Sequence, residues 1–87
     1  MDMIDEELLR LRIRLDDLNL RVIPELENKT QVMYAQVMQM RKESEERKKI
    51  EAEYKLISKD LSARCDELIG IRQQIENLEM EKSFGSR

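Results

Sequence analysis

Between Ile50 and Leu78 the apolar side chains return at alternating steps of four and three residues: Ile50, Tyr54, Ile57, Leu61, Leu68, Ile71, Ile75 and Leu78, with Arg64 in the one slot taken by a charge. On an α-helix this spacing draws a narrow stripe, and a stripe that repeats every 3.5 residues needs a second helix to cover it. In heptad terms Tyr54, Leu61, Leu68 and Ile75 are a positions, and Ile50, Ile57, Ile71 and Leu78 are d positions. A single helix cannot bury a one-sided stripe against itself. The chain must fold back or associate.

The composition agrees. Of 87 residues 40% are charged and only 3% aromatic, with one Pro, Pro24, and two Gly, Gly70 and Gly85. Ala, Glu, Lys, Leu, Arg, Met and Gln dominate, as they do in long helices. Sixteen basic and nineteen acidic residues are interspersed, for a net charge of −3, so no basic footprint for nucleic acid is present. No apolar run is long enough to insert in a membrane, and no secretory leader is visible. A lone Cys65 forms no intrachain disulfide and fits a reducing compartment. The absence of His removes the commonest acid–base group and metal ligand. The expectation is a soluble cytoplasmic chain, in a cytoskeleton- or organelle-associated setting, with no cofactor and no metal.

Residues 2–23 carry Ile4, Leu8, Leu11, Leu15, Leu18 and Val22, again alternating by four and three. Leu8, Leu15 and Val22 take a; Ile4, Leu11 and Leu18 take d. Asp2 is placed to cap the helix, and Asp5 and Glu6 suit its first turn. Glu6–Arg10, Arg12–Asp16 and Asp17–Arg21 are i,i+4 pairs, each supporting a helix by about 0.2–0.5 kcal/mol. Leu9–Leu15 and Leu18–Val22 also alternate with period two, which admits a β-hairpin. Leu and Arg in place of β-branched residues, and Asp16-Asp17 in place of a Gly turn, favour the helix. Leu9, Ile13 and Leu20 fall off the seam. They give this segment a second apolar face and make it the candidate for binding a protein partner.

Pro24 has no N–H and its ring collides with the carbonyl four residues earlier, so it breaks or kinks a helix at a cost of about 3 kcal/mol, yet it suits the first position of a new one. Beyond it Leu26, Met33, Val37 and Met40 extend the seam, with Thr30 and Ser44 between them, in a frame that has slipped by one residue. Residues 41–49 then contain no apolar side chain, and the frame slips by three more. The slips sum to one stutter, which locally unwinds a supercoil. The expected organisation is all-α. An N-terminal amphipathic helix, 1–23, is broken or kinked at Pro24 from a long rod, 24–82, with blocks 26–40 and 50–82 around a solvated segment 41–49, and 83–87 forms a frayed tail. A continuous helix over 25–82 is about 87 Å long at 1.5 Å per residue.

Arg64 on the seam sets register or partner choice, or else its stem packs while its guanidinium turns to Asp60 or Glu67. Cys65, beside the seam, reads more plainly as an inert thiol than as a redox site. Met33, Met38 and Met40 near Tyr34 read as core filling before an adaptable binding patch. Asn28-Lys29-Thr30 matches a glycosylation acceptor, a chance match without a secretory leader. No catalytic constellation, phosphate-binding loop or metal-ligand spacing occurs, so no enzyme is expected.

The heptads resemble, generically, those of long rod and scaffold proteins such as golgins, tropomyosin-like rods and centrosomal coiled coils. The resemblance implies a non-enzymatic oligomerisation module, part of a larger cytoskeletal, centrosomal or trafficking protein. It pairs with itself as a parallel homodimer through Leu8, Leu11, Leu15, Leu18, Val22, Leu26, Met33, Val37, Met40 and the 50–78 stripe, with higher-order assembly through the N-terminal helix. The alternative is a small helical subunit of a hetero-oligomer, or an adaptor or GTPase-effector coiled coil that folds on another helical protein.

Overall fold

The computed structural model describes residues 2–85. It contains three α-helices: α1 (Met3–Asp17), α2 (Ile23–Gln39) and α3 (Glu45–Gly85). A π-helical turn, Leu18–Val22, joins α1 to α2 with no loop between them. The chain is therefore two long antiparallel arms, residues 3–39 and 45–85, joined by one short turn. The particle measures 66 × 15 × 14 Å. The length is that of α3, whose 41 residues span about 61 Å. The expectation of an all-helical, extended chain holds. No strand occurs among the described residues, so the period-two stretches resolve as helix.

Pro24 does not break the arm. It sits in the first turn of α2, and Val22 and Ile23 keep helical angles (φ −65°, ψ −53° and φ −65°, ψ −47°). In a regular helix Pro24 would offer no N–H to Leu20 and press its ring on that carbonyl. The turn before it is widened instead: Ile23 N–H donates to the carbonyl of Leu18, five residues back. One extra residue per turn is what a π-bulge supplies. That residue is the one-residue slip of the heptad frame. Both sides of the bulge thus keep their apolar stripe on the same face, and Val22 and Ile23 both reach the seam.

The second correction concerns the polar run. The 24–82 segment is not one rod, because the chain reverses at residues 40–44, within the segment expected to be a solvated spacer. Met40 leaves α2 in an extended conformation (φ −94°, ψ 153°). Its N–H still reaches the carbonyl of Val37 at 3.1 Å, and Ser44 N–H reaches that of Arg41 at 3.1 Å. Ser44 is the N-cap of α3: its Oγ accepts the backbone N–H of Arg47 at 3.4 Å, and Glu45 and Glu46 follow in the first turn. Arg47 closes the turn, donating to the carbonyl of Met40 at 2.9 Å and to Glu51 at 2.8 Å. No described residue has a positive φ, so the reversal needs no glycine. The three-residue slip imposes no stutter, since separate arms need not share a frame. At the far end α3 stays helical through Ser83, Phe84 and Gly85, where fraying was expected; residues 86–87 lie outside the described part.

At the N-terminus Asp2 is extended (φ −64°, ψ 147°) and caps through its backbone, its carbonyl accepting Glu6 N–H at 3.0 Å, with no side-chain cap. The buried residues are Leu8, Leu18, Ile23, Val37 and Ile71. Leu18, Ile23 and Ile71 form the central cluster, with Leu11, Leu15, Val22, Leu61, Cys65, Leu68 and Ile75 packed around it.

Candidate helical interface

The apolar positions read from the heptads lie on the faces the two arms turn toward each other. Of the seventeen expected seam residues, Leu8, Leu18, Val37 and Ile71 are buried. Leu11, Leu15, Val22, Leu26, Met33, Met40, Ile50, Tyr54, Ile57, Leu61, Leu68, Ile75 and Leu78 are half-buried. One arm covers only part of another arm's stripe, because two helices meet along a line. Ile23 is the core residue that sequence reasoning missed. The constraint of Pro24 on its predecessor drew attention away from it, although Ile23 is the a position of the slipped frame that holds Thr30 and Val37.

The two edges of the seam differ. In the heptad frames of each block, g positions face g positions and e face e, as in any antiparallel pair. The g edge is ionic. Arg14 donates from Nε and Nη2 to the two carboxylate oxygens of Glu67 at 2.7 and 3.1 Å, and Glu67 also accepts Arg64 Nη1 at 2.8 Å. Hydrogen bonding from Arg14 holds the Glu67 carboxyl below the usual carboxylate range, against the opposing effect of desolvation, and the Arg14 charge adds to it. Beside it, Arg21 grips Asp17 at 2.7 and 2.9 Å and lowers that carboxyl in the same way. Of the three i,i+4 pairs read from the sequence, Asp17–Arg21 forms here, whereas Arg12 leaves Asp16 and crosses to Glu79 at 2.6 Å.

Arg64 lies half-buried on the seam. Its Nε makes no hydrogen bond and stands 3.5 Å from Asp60 Oδ1, a charge contact only, while Nη1 reaches Glu67. The stem thus fills a d position and the charge is compensated at the g edge.

The e edge carries ion pairs toward both ends of the hairpin: Arg12 meets Glu79 and Lys82 meets Asp5 near the open end, and Arg47 meets Glu51 beside the turn. Between these pairs it carries Asn19, Glu27 and Tyr34 on one arm and Ser58, Cys65 and Arg72 on the other. Tyr34 and Tyr54 pack with ring centroids 6.3 Å apart and planes tilted by 44°. A groove runs beside them, lined by Tyr34, Val37, Met38, Arg47, Glu51 and Tyr54, so Met38 and Tyr34 face outward while Met33 and Met40 fill the seam. Cys65 is half-buried and unpaired by any disulfide.

Leu9, Ile13 and Leu20 project away from the seam, 51%, 61% and 74% exposed. Among the described residues no helix is long and apolar enough to cross a membrane, and no group of His, Cys, Asp or Glu is arranged to hold a metal. No family model, curated protein or solved structure matches this chain.

Proposed function

We propose that this chain is a non-enzymatic helical association module, which holds chains together through the hairpin formed by residues 3–85. The observation that carries the reading is the half-buried seam. Thirteen of seventeen seam residues keep part of their apolar surface in water after the arms have packed. Burying such surface yields roughly 25 cal/mol per Å², and a second helical surface is what buries it. The coiled coil is then a pair of hairpins, in place of two parallel rods.

Sedimentation equilibrium at micromolar concentration tests this: a multiple of 10.4 kDa supports it, and a monomer at all concentrations contradicts it. Leu61→Asp with Leu68→Asp abolishes association together with helicity, since both residues pack on the central cluster.

The exposure of Leu9, Ile13 and Leu20 supports a second reading, recruitment of another helical protein on the outer face of α1. Ile13→Lys with Leu20→Lys keeps the hairpin and its self-association and removes such a partner. Loss of self-association in that variant assigns both residues to the assembly.

A further inference from the structure

We infer that Arg47, Arg64 and Lys82 bar α3 from pairing with the α3 of a second chain, and so reserve its apolar stripe for the arm of residues 3–39. This choice of partner for the seam stands whether or not hairpins associate with one another.

Continued to both ends of α3, the frame of Tyr54 and Ile57 places Arg47 and Lys82 at a, with Arg64 at d. These are the charged residues on the α3 seam, and all of them are cations. Arg47 and Lys82 stand five heptads apart, with Arg64 near the middle. The first arm is different: from Ile4 to Met40 every a and d position is apolar except Thr30.

In the hairpin each cation has an acceptor that depends on the first arm. Lys82 reaches the Asp5 carboxylate on α1. Arg47 donates at 2.9 Å to the carbonyl of Met40, where the chain leaves α2. Arg64 donates at 2.8 Å to Glu67, which two hydrogen bonds from Arg14 hold in place. Even here Arg64 Nε is buried with no hydrogen bond. A charge kept on a seam at such a cost is the kind of residue that sets register and partner choice.

A second α3 supplies none of the first arm's acceptors. In a parallel, in-register pair Arg47 faces Arg47, Arg64 faces Arg64 and Lys82 faces Lys82 across the a and d layers. An antiparallel pair that covers the whole Ile50–Leu78 stripe is centred on Arg64, which again meets its own copy, while Arg47 comes opposite Lys82. Glu51 and Glu67 travel with the helix and offset part of the charge, but Lys82 loses Asp5 in both arrangements. Like charges withdrawn from water repel more strongly than in it. The stripe therefore takes a partner with an uncharged seam, which the first arm has and a second α3 lacks.

The test uses the full chain. Arg64→Leu with Lys82→Leu removes two of the cations and leaves Arg47 to close the turn. Spin labels at Arg10→Cys and Glu81→Cys in a Cys65→Ser background report whether a chain is closed, with labelled chains a minor fraction of unlabelled ones. Total protein is held near the effective concentration that a short linker confers, about 1 mM, so that the α3 of another copy competes. The wild-type seam is expected to give a single short distance. The double variant is expected to add a longer one, with the ratio of open to closed chains raised at least about tenfold. Chains of that variant labelled once, at Ala63→Cys beside the centre of the stripe, are expected to show a short interchain distance absent from the wild-type seam. Arg64→Gln with Lys82→Gln removes the charge without adding apolar area and is expected to shift the ratio in the same direction. A variant that stays closed, opens without the new Ala63→Cys distance, or loses its helicity by circular dichroism overturns the inference. So does a shift seen with Leu and not with Gln, which assigns the effect to apolar area.

Discussion

Arg14 and Glu67, 53 residues apart in sequence, share two hydrogen bonds across the seam. The pair can form only if the arms run antiparallel with the register fixed. It lies at the edge of the central cluster, where the g-edge charges converge, and so ties the ionic edge to the apolar core.

Because Arg14 holds the Glu67 carboxyl below the ordinary carboxylate range, the protonated form is disfavoured in the folded state. Glu67 therefore contributes stability that is fully present above the unfolded carboxylate pKa, about 4.3, and is lost as pH falls through its lowered folded pKa. Asp17, lowered by Arg21, acts in the same direction. The melting temperature of the wild type is expected to drop between about pH 5 and pH 3, and that of Glu67→Gln to start lower at neutral pH and to drop less. Thermal melts across this range check it.

The π-turn at Leu18–Val22 reconciles two heptad frames, so it is set by the seam residues on both sides and not by Pro24 alone. Pro24→Ala should keep the turn and change stability by no more than roughly 1 kcal/mol. Deleting Asn19 in the Pro24→Ala background brings Ile23 and Leu26 into the frame of Leu8 and Leu15. That chain is expected to keep the hairpin, with slower amide exchange over residues 18–23. Loss of helicity on deletion would show that the bulge serves something other than frame matching.

Heptads state that a stripe must be covered, and this part of the fold was legible from the apolar spacing. The slip at Pro24 was legible too, but a proline and a frame shift fit a break as well as a bulge. The difference lies in a backbone hydrogen bond from Ile23 to Leu18 that no side chain announces. Direction was the larger gap. A heptad stripe reads the same for parallel and antiparallel pairing, and the reversal at 40–44 uses no Gly or Pro. The local signal was Ser44-Glu45-Glu46, a helix-start pattern that the surrounding charges disguised. The half-exposed seam and the difference between its two edges depend on what the second arm leaves uncovered, so no single stripe could show them.

Ser44 begins α3 through its Oγ contact with Arg47 N–H. Ser44→Ala is expected to cost about 1 kcal/mol, read as a lower midpoint in urea, and Ser44→Asp to retain most of it.

Leu18 has no exposed surface, and Gly70 has open space where a Cβ would stand. Leu18→Ala is expected to cost about 2–5 kcal/mol, enough to unfold much of a small hairpin at 25 °C. Gly70→Ala, on a c position of α3, is expected to raise stability by about 1 kcal/mol with no change in association. Urea titrations followed by circular dichroism compare the two.

The central claim is that one chain folds back on itself at residues 40–44. The direct measurement is the distance between spin labels at Arg10→Cys and Glu81→Cys in one Cys65→Ser chain, diluted with excess unlabelled protein so that only intramolecular pairs contribute. With Arg12 and Glu79 in contact across the seam, the account predicts a single narrow distribution near 20–25 Å, an order-of-magnitude allowance for two label arms on neighbouring helices 8–10 Å apart. A distribution centred several nanometres further out, toward the roughly 105 Å of an unbroken helix, would contradict it.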